Sequence, residues 1–330
     1  MDNICHTLVG AALAQTGLKH RTRYGTATLL VSANLPDVDI LSYAFGGGLT
    51  ALSFRRGWTH GVLALGILPL LLTGLVLLWS RACRGRGDAP QAPPLRASQV
   101  ALLATVSILT HPLLDFMNTY GMRWWMPFVN RWYYADALFI VDPWIWVVLV
   151  AGLLLTRWTG RETGNGKRET SAASHRRWAM TPAAVSLLAI AVYAAVMLGA
   201  SQIARRTITQ GLKADGRAPL RVMVSPVPLN PLRRLVVIED ADRYRFGTVY
   251  WLRRPVFAIE PYEVAKNATA PEALVARQSA EGGAFLSWAR FPFFVVEASR
   301  SSPVVHIVDA RYTLDPDAGF GAVAVRLQGR

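Results

Sequence analysis

The chain has 330 residues, of which 52% are hydrophobic and only 17% are charged, and its mean hydropathy is +0.27. A soluble protein of this length carries about a quarter charged residues, so the composition indicates a membrane protein and argues against a wholly soluble one. The net charge of +14 would suggest nucleic-acid binding in a soluble protein. Here much of it lies in loops between apolar segments, and we predict no nucleic-acid partner.

The first two apolar segments are short. Residues 4–18 predict a helix rich in small side chains, and residues 24–35 predict a second helix that ends at Pro36. The two can form a hairpin that does not fully cross the bilayer. Because the N-terminus carries no basic segment before its apolar run, we expect no cleaved signal peptide. Two cysteines, Cys5 and Cys83, are too few for a disulfide framework.

Longer apolar segments predict four membrane spans, since about 20 apolar residues cross a bilayer. These spans are residues 61–80, 97–116, 138–156 and 179–200. The distribution of Lys and Arg predicts their orientation, because cytoplasmic loops are enriched in both. Thirteen Lys and Arg fall in the turn 19–23 and the loops 81–96 and 157–177, against four in the loops 36–60 and 117–137. We therefore expect the first set of loops in the cytoplasm and the second set outside.

The sequence pattern changes after residue 204. Short β-type runs separated by Pro and Gly turns predict a small antiparallel sheet, and residues 270–282 predict one helix. The β-type runs are residues 222–224, 235–238, 247–252, 293–296 and 304–308. The predicted fold is a polytopic α-helical membrane bundle (residues 1–204) with a C-terminal extracytoplasmic α+β domain that is mainly β (residues 205–330). We interpret His306, in one of these runs, as a structural residue.

Six residues that can bind metal ions lie at the ends of the apolar segments. The predicted topology brings all six to one membrane depth near the outer face, and ionisable groups near lipid usually face a protein interior and have a function. His111 and Asp115 are four residues apart on one helix face, where they can hold one cation. If this pair is considered by itself, the default interpretation is a helix cap or a buried polar group of the core. The six predicted metal ligands are His6, Asp37, Asp39, His60, His111 and Asp115.

Each of these residues also has a structural interpretation. Asp37 can cap the following segment while Asp39 is solvated, and His6 or His60 alone can be a packed interfacial residue. Arg55 and Arg56, just before His60, can hold a phosphate or another anion by bidentate hydrogen bonds, or they can bind lipid headgroups. The remaining candidates are Asn118 as a substrate-binding residue, and Asp136 and Asp142 as acceptors behind a metal-bound histidine or, for Asp142, as a helix N-cap.

The ordered motifs resemble the family of inner-membrane, metal-dependent hydrolases of the YdjM/YbcI-like group. The resemblance covers about residues 1–155 and is carried by His6-Thr7, Leu35-Pro36-Asp37-Val38-Asp39, Arg56-Gly57-Trp58-Thr59-His60, Thr110-His111 with Asp115, and Tyr120-Gly121. It implies an integral protein of the inner membrane with metal-dependent hydrolase activity. The order of the ligands is also distantly similar to helical zinc phospholipases C and single-strand nucleases. The chain lacks a late histidine pair for a three-metal cluster, so we expect one or two ions.

The function that follows is a membrane-bound, metal-dependent hydrolase that acts on a phosphoester of a lipid or lipid-linked substrate at the outer face. Zinc is the expected metal, with manganese or magnesium as alternatives. The expected catalytic residues are Asp37, His60, His111 and Asp115. The alternative is a non-catalytic membrane protein that is braced by metal and binds a partner through its soluble domain; nothing in the sequence identifies a protein partner. A proton-relaying transporter would need polar residues at mid-membrane in spans 61–80 and 179–200, which offer almost none.

Overall fold

A computed structural model describes residues 1–83, 93–160, 180–297 and 303–327 of the chain. The predicted basic loops 81–96 and 157–177 lie largely outside the described residues. By their internal contacts, the described residues fall into two compact units. The first comprises Met1–Asp39 and Arg56–Leu198, and the second comprises Ile40–Arg55 and Gly199–Arg330. The domain boundary predicted at residue 204 stays a prediction.

The first unit is helical. Its helices are α1 (Asn3–Gln15), α2 (Gly25–Asn34), α4 (Val62–Ala82), α5 (Ala97–Met117), α6 (Pro143–Trp158) and the first part of α7 (Pro182–Ala214). Within the described residues, α4, α5 and α7 are long and apolar enough to cross a membrane, whereas α6 is an apolar helix of 16 residues. Helix α4 exposes a row of large apolar side chains, as lipid contact requires. The polytopic helical fold is thereby confirmed.

Helix α5 lies at the centre of this unit, in contact with α1, α2 and α4. Small residues allow the close approach: Ser107 donates a hydrogen bond to the carbonyl oxygen of Leu29 at 2.7 Å. Helices α1 and α2, of 13 and 10 residues, are shorter than the roughly 20 residues a span needs. Both short helices pack against α5. The N-terminal part of α1 and the C-terminal end of α2 lie close to the C-terminal part of α5.

The second unit confirms the predicted mainly β domain, but its strands form two antiparallel sheets and not the single small sheet predicted. The first sheet has the order β1 (Arg221–Val227), β2 (Asn230–Glu239), β3 (Arg243–Tyr250) and β4 (Phe257–Ala265), and the second has β5 (Pro292–Glu297), β6 (Val304–Asp309) and β7 (Ala322–Arg326). Ile208 and Leu212 of α7 pack on one face of the first sheet. Val237 and Phe246 on its other face pack on Phe293 and Val308 of the second sheet.

Several predicted boundaries are wrong. The third apolar segment begins its helix at Pro143 and not at Leu138, because Asp142 caps the helix and proline fits the first helical turn. The single helix predicted over residues 270–282 is two helices, α8 (Pro271–Gln278) and α9 (Ala280–Trp288), because Ser279 starts the second by accepting a hydrogen bond from the Gly282 amide at 2.9 Å. The segment predicted as loop 36–60 contains a 3₁₀ helix (Leu35–Leu41) and α3 (Ser42–Phe54).

Candidate metal centre

Four segments of the first unit bring polar side chains to one buried place. Helix α1 contributes His6, the 3₁₀ helix after α2 contributes Asp37, the turn before α4 contributes His60, and α5 contributes His111 and Asp115. None of the five is more than 7% exposed. Burial of so many ionisable groups is unfavourable unless they are paired or hold an ion, so this cluster needs a physical explanation.

Helix α5 sets the direction in which two of these side chains point. His111 and Asp115 are one turn apart, and both face the cluster. The Nδ1 atom of His111 lies 2.6 Å from the carbonyl oxygen of Ala33 at the end of α2. Because a carbonyl oxygen only accepts, Nδ1 carries the proton and Nε2 presents a lone pair to the cluster. This arrangement is the usual preparation of a histidine for metal binding.

His60 is prepared in the same way by residues of its own turn. Its Nδ1 lies 3.0 Å from the hydroxyl oxygen of Thr59 and 3.4 Å from Oδ2 of Asp39. Asp39 is held in place because its Oδ2 accepts hydrogen bonds from the Arg56 amide at 2.8 Å and from the Thr59 hydroxyl at 3.2 Å. Burial, assisted by neighbouring His111, lowers the pKa of His60 well below its usual value, so the ring is neutral. Its Nε2 lone pair then faces the cluster.

The atoms that face one another have separations that suit a single ion. His60 Nε2 and His111 Nε2 are 3.2 Å apart, and Asp115 Oδ2 lies 3.3 Å and 3.6 Å from them. Asp37 Oδ1 lies 3.5 Å from His111 Nε2 and 3.8 Å from His60 Nε2. Two ligands held at about 2.0–2.1 Å in a tetrahedral zinc site are themselves about 3.3 Å apart. Asp37, His60, His111 and Asp115 therefore form a group that could hold a metal ion.

Unsatisfied atoms give a second test of whether the residues fit a cation. Asp115 Oδ2 and both ring nitrogens of His6 have no hydrogen-bond partner among the described residues. His6 stacks on His111 with ring centres 3.6 Å apart, and its Nε2 lies 3.5 Å from Asp115 Oδ1. The amino group of Met1 forms an ion pair with that same oxygen. A buried carboxylate with an open oxygen among imidazole lone pairs fits a divalent cation. His6 lies beside the four-residue group, on the other oxygen of Asp115.

Arg56 closes the cluster on the side of Asp115. Its Nη2 lies 3.2 Å from Asp115 Oδ1, its Nη1 donates to Asn118 Oδ1 at 3.1 Å, and its guanidinium lies 4.5 Å from the ring centre of Tyr120. Asn118 Oδ1 also accepts from the amides of Tyr120 and Gly121. The Nδ2 of Asn118 has no partner among the described residues. A fixed positive charge and a buried amide donor thus lie next to the predicted ligands.

Comparison with known proteins assigns the region that contains the cluster to a protein family. Residues 1–203 match the family described as YdjM inner membrane protein. The chain belongs to this family. It is also 32% identical over 132 residues to the inner membrane protein YbcI of Escherichia coli (strain K12), an alignment that covers 39% of this chain and 64% of YbcI. The chain thus spans less than two thirds of this relative. No solved structure matches the chain.

Family membership identifies an integral protein of the inner membrane, and the spanning helices agree with that. The matched region includes all four segments that carry the cluster. The prediction from the sequence motifs is therefore confirmed for the family and for the membrane location.

Some predicted site residues have other positions. Asp39 contacts His60 from the side of its Nδ1 and orients it, and its predicted role as a direct ligand stays a prediction. Asp142 caps α6 through the Trp144 amide at 3.1 Å and accepts from the Tyr193 hydroxyl at 3.0 Å, which is the N-cap alternative. Asp136 is buried with a left-handed backbone, φ 52°, and its role stays a prediction.

Arg55 and Arg56 have different partners. Arg55 belongs to the second unit, where its guanidinium lies 5.6 Å from the ring centre of Tyr43. The paired anion clamp thus stays a prediction. Sequence reasoning missed Thr59 and the Ala33 carbonyl as orienting groups. The hydroxyl of Thr59 directly before His60 is the one sequence signal for this contact. No sequence signal identifies which backbone carbonyl a histidine ring will contact.

Proposed function

We propose that this protein is a membrane-bound, metal-dependent hydrolase that acts on a phosphoester of a lipid or a lipid-linked substrate. The single observation that carries the proposal is the set of five separations of 3.2–3.8 Å among the facing atoms of Asp37, His60, His111 and Asp115 in a buried cluster. Zinc suits a set of two imidazoles and two carboxylates, and manganese or magnesium are the alternatives.

The residues divide into groups with different tasks. A divalent cation at such a site polarises the bond that breaks and makes water a stronger nucleophile at neutral pH. Asp37, His60, His111 and Asp115 would bind that ion. Arg56 places a fixed positive charge beside Asp115, where it would stabilise negative charge that develops on a substrate phosphoryl group. The open Nδ2 of Asn118 would donate to a substrate oxygen, and the one ring nitrogen of neutral His6 that carries no hydrogen would accept a proton.

Exposed apolar side chains next to the ligands support a lipid substrate. Each segment that carries a predicted ligand also exposes a large apolar residue close to it in sequence: Ile4, Val38, Trp58 and Leu113. In an integral membrane protein such residues face acyl chains or the interface. The apolar part of a lipid could therefore remain in the bilayer while its phosphoester reaches the cluster. The excess of Lys and Arg in the opposite loops supports placing this site at the outer face.

The direct test is turnover by purified protein. Wild-type protein in detergent or nanodiscs, stripped with chelator and reloaded with Zn²⁺, Mn²⁺ or Mg²⁺, is assayed for release of phosphate or of the alcohol from phospholipids and polyprenyl phosphates. We expect metal-dependent turnover that His60→Gln abolishes. His20→Gln, which changes an exposed histidine of the same unit, is the control and should leave turnover unchanged. Inactivity of fully metal-loaded protein on every substrate of this class would argue against the proposal.

The low exposure of the cluster favours a second candidate function, that of a non-catalytic brace. None of the five central side chains is more than 7% exposed, which suits an ion that holds the 3₁₀ helix after α2, α5 and the turn before α4 together. In that case His111→Ala lowers the melting temperature of the metal-loaded protein, and no turnover exists for the variant to lose. Measuring melting and turnover on the same preparations separates the two functions.

A further inference from the structure

A second group of metal-ligating side chains lies in the second unit, on the sheet of β5, β6 and β7. Val295 pairs with His306 and Glu297 pairs with Val304, so Glu297 and His306 are diagonal neighbours on one face of the sheet. Asp317 reaches the same place from the loop between β6 and β7. One ligand atom from each of the three lies within 4.8 Å of the others. The group involves none of the residues of the membrane cluster.

His306 distinguishes this group from an ordinary acidic patch. The residue is only 6% exposed, and its Nδ1 lies 3.0 Å from the carbonyl oxygen of Pro316. The carbonyl can only accept, so Nδ1 carries the proton and Nε2 presents a lone pair. That Nε2 has no hydrogen-bond partner among the described residues, and it lies 3.6 Å from Glu297 Oε1. Two acceptor atoms that face each other in this way require a proton or a cation between them.

The two carboxylates make a cation the better explanation. The side chains of Glu297 and Asp317 are 58% and 77% exposed, so an ion can reach the group from water without unfolding the sheet. Asp317 Oδ1 lies 3.9 Å from His306 Nδ1, on the side of the ring that faces the Pro316 carbonyl. One imidazole with two carboxylates is a donor set for zinc and similar divalent ions. The Nδ1–H hydrogen bond to a backbone carbonyl is the outer contact that metal-binding histidines commonly make.

We propose that Glu297, His306 and Asp317 form a second divalent-cation site, independent of the membrane cluster, with zinc as its ion. Glu297 and His306 belong to the β5–β6 hairpin, whereas Asp317 and Pro316 belong to the loop that leads to β7. A bound ion would therefore fix this loop to the hairpin. The consequence is a soluble unit whose loop is ordered by metal, while the hydrolase chemistry proposed above takes place elsewhere.

The test is a calorimetric zinc titration. The full chain in detergent is first freed of metal with EDTA, and zinc is then added while the heat of binding is measured. We expect Glu297→Gln and Asp317→Asn each to bind one zinc ion fewer per chain than the wild type. Both residues are exposed, so neither variant threatens the fold. Glu263→Gln changes an exposed acid of the same unit and serves as the control, with unaltered zinc stoichiometry.

The variant His60→Gln separates this site from the membrane cluster. In that background one zinc ion should remain, and adding Asp317→Asn should remove it. If wild type, Glu297→Gln and Asp317→Asn all bind the same number of zinc ions, the facing atoms share a proton only and the second site does not exist. That result would leave the proposed hydrolase function untouched, because its test depends on His60.

Discussion

Asp37 and Asp39 are two residues apart in the 3₁₀ helix, yet they have different surroundings. Asp37 points an oxygen at His60 and His111, 3.8 Å and 3.5 Å away. Asp39 instead accepts hydrogen bonds from the Arg56 amide and the Thr59 hydroxyl behind His60. A single helical turn therefore supplies one carboxylate that faces the ion position and one that orients the histidine beside it. The two residues should differ in the cost of losing their charge.

Replacing Asp39 by asparagine should weaken zinc binding without abolishing it. Loss of an outer carboxylate that orients a ligand typically lowers metal affinity by about 10–100-fold, and asparagine can still accept the two hydrogen bonds. Zinc affinity is measured by competition with a chromophoric chelator. The control is Asp242→Asn, at an exposed position, which should leave affinity unchanged. Complete loss of zinc would instead make Asp39 a direct ligand, as the sequence motif first indicated.

Arg56 should be far more sensitive to substitution than its neighbour. Its guanidinium contacts both Asp115 and Asn118, and removing one partner of a buried ion pair typically costs about 3–5 kcal/mol. We expect Arg56→Ala to lower the melting temperature of the protein in detergent markedly. Arg55→Ala, at the adjacent and less buried residue, should leave melting nearly unchanged. Equal shifts for the two variants would contradict the assigned contacts.

The sequence predicted much of the candidate site, but it did not predict which residues face the ion position and which ones orient the ligands. Apolar context, the i,i+4 spacing of His111 and Asp115, and the topology were enough to predict that residues scattered over the first 115 positions meet. The separation of ligands from orienting groups depends on ångström differences in rotamer and backbone position. Nothing in the residue types of Asp37 and Asp39 encodes that difference, and neither does the meeting of His111 with the Ala33 carbonyl.

At the scale of secondary-structure elements, the close packing of α1 on α2 positions His6. A Cβ atom on Gly10 would lie 2.9 Å from both the Cβ of Ala33 and the carbonyl oxygen of Leu29. Neither neighbour is the end of a flexible side chain, so the helices would have to separate. Because α2 leads directly to Asp37, a shift between these helices would disturb two contributions to the cluster at once.

The variant Gly10→Ala should therefore reduce metal content although it changes no polar group. The matched control is Gly66→Ala in α4, where a Cβ would meet open space. We expect the control to retain wild-type metal content and the Gly10 variant to bind zinc more weakly, measured on protein purified in the same way. Equal metal content would show that the α1–α2 contact does not position the cluster.

The elements that sequence reasoning missed have weak local patterns. Helix α3 contains Gly46-Gly47-Gly48, a run of glycines that is typical of a turn and not of a helix. Gly47 does have a non-helical backbone, φ 69°. Strand β4 is an edge strand with mostly exposed side chains and a proline inside, which removes the period-two alternation that marks a half-buried strand. Strand β7 is only five residues long. Tertiary packing, and not local preference, determines these segments.

At the scale of the whole molecule, the orientation of the C-terminal unit in the membrane is a prediction of the charge distribution. We expect this unit outside the cytoplasm. The variant Asp242→Cys introduces a thiol at an exposed position and should react with a membrane-impermeant maleimide in intact cells. Native Cys83, at the end of α4 beside a basic loop, should react only after the cells are broken. The reverse pattern of labelling would invert the topology and place the metal cluster at the inner face.

The decisive experiment counts the metal ions bound per chain by elemental analysis of wild type and Asp37→Asn purified side by side. Asp37 faces both histidine Nε2 atoms and has no other assigned task. We predict one ion fewer per chain in the variant, with a folded protein and unaltered zinc at the Glu297–His306–Asp317 group. An unchanged metal content would contradict the central claim that Asp37, His60, His111 and Asp115 bind one cation together.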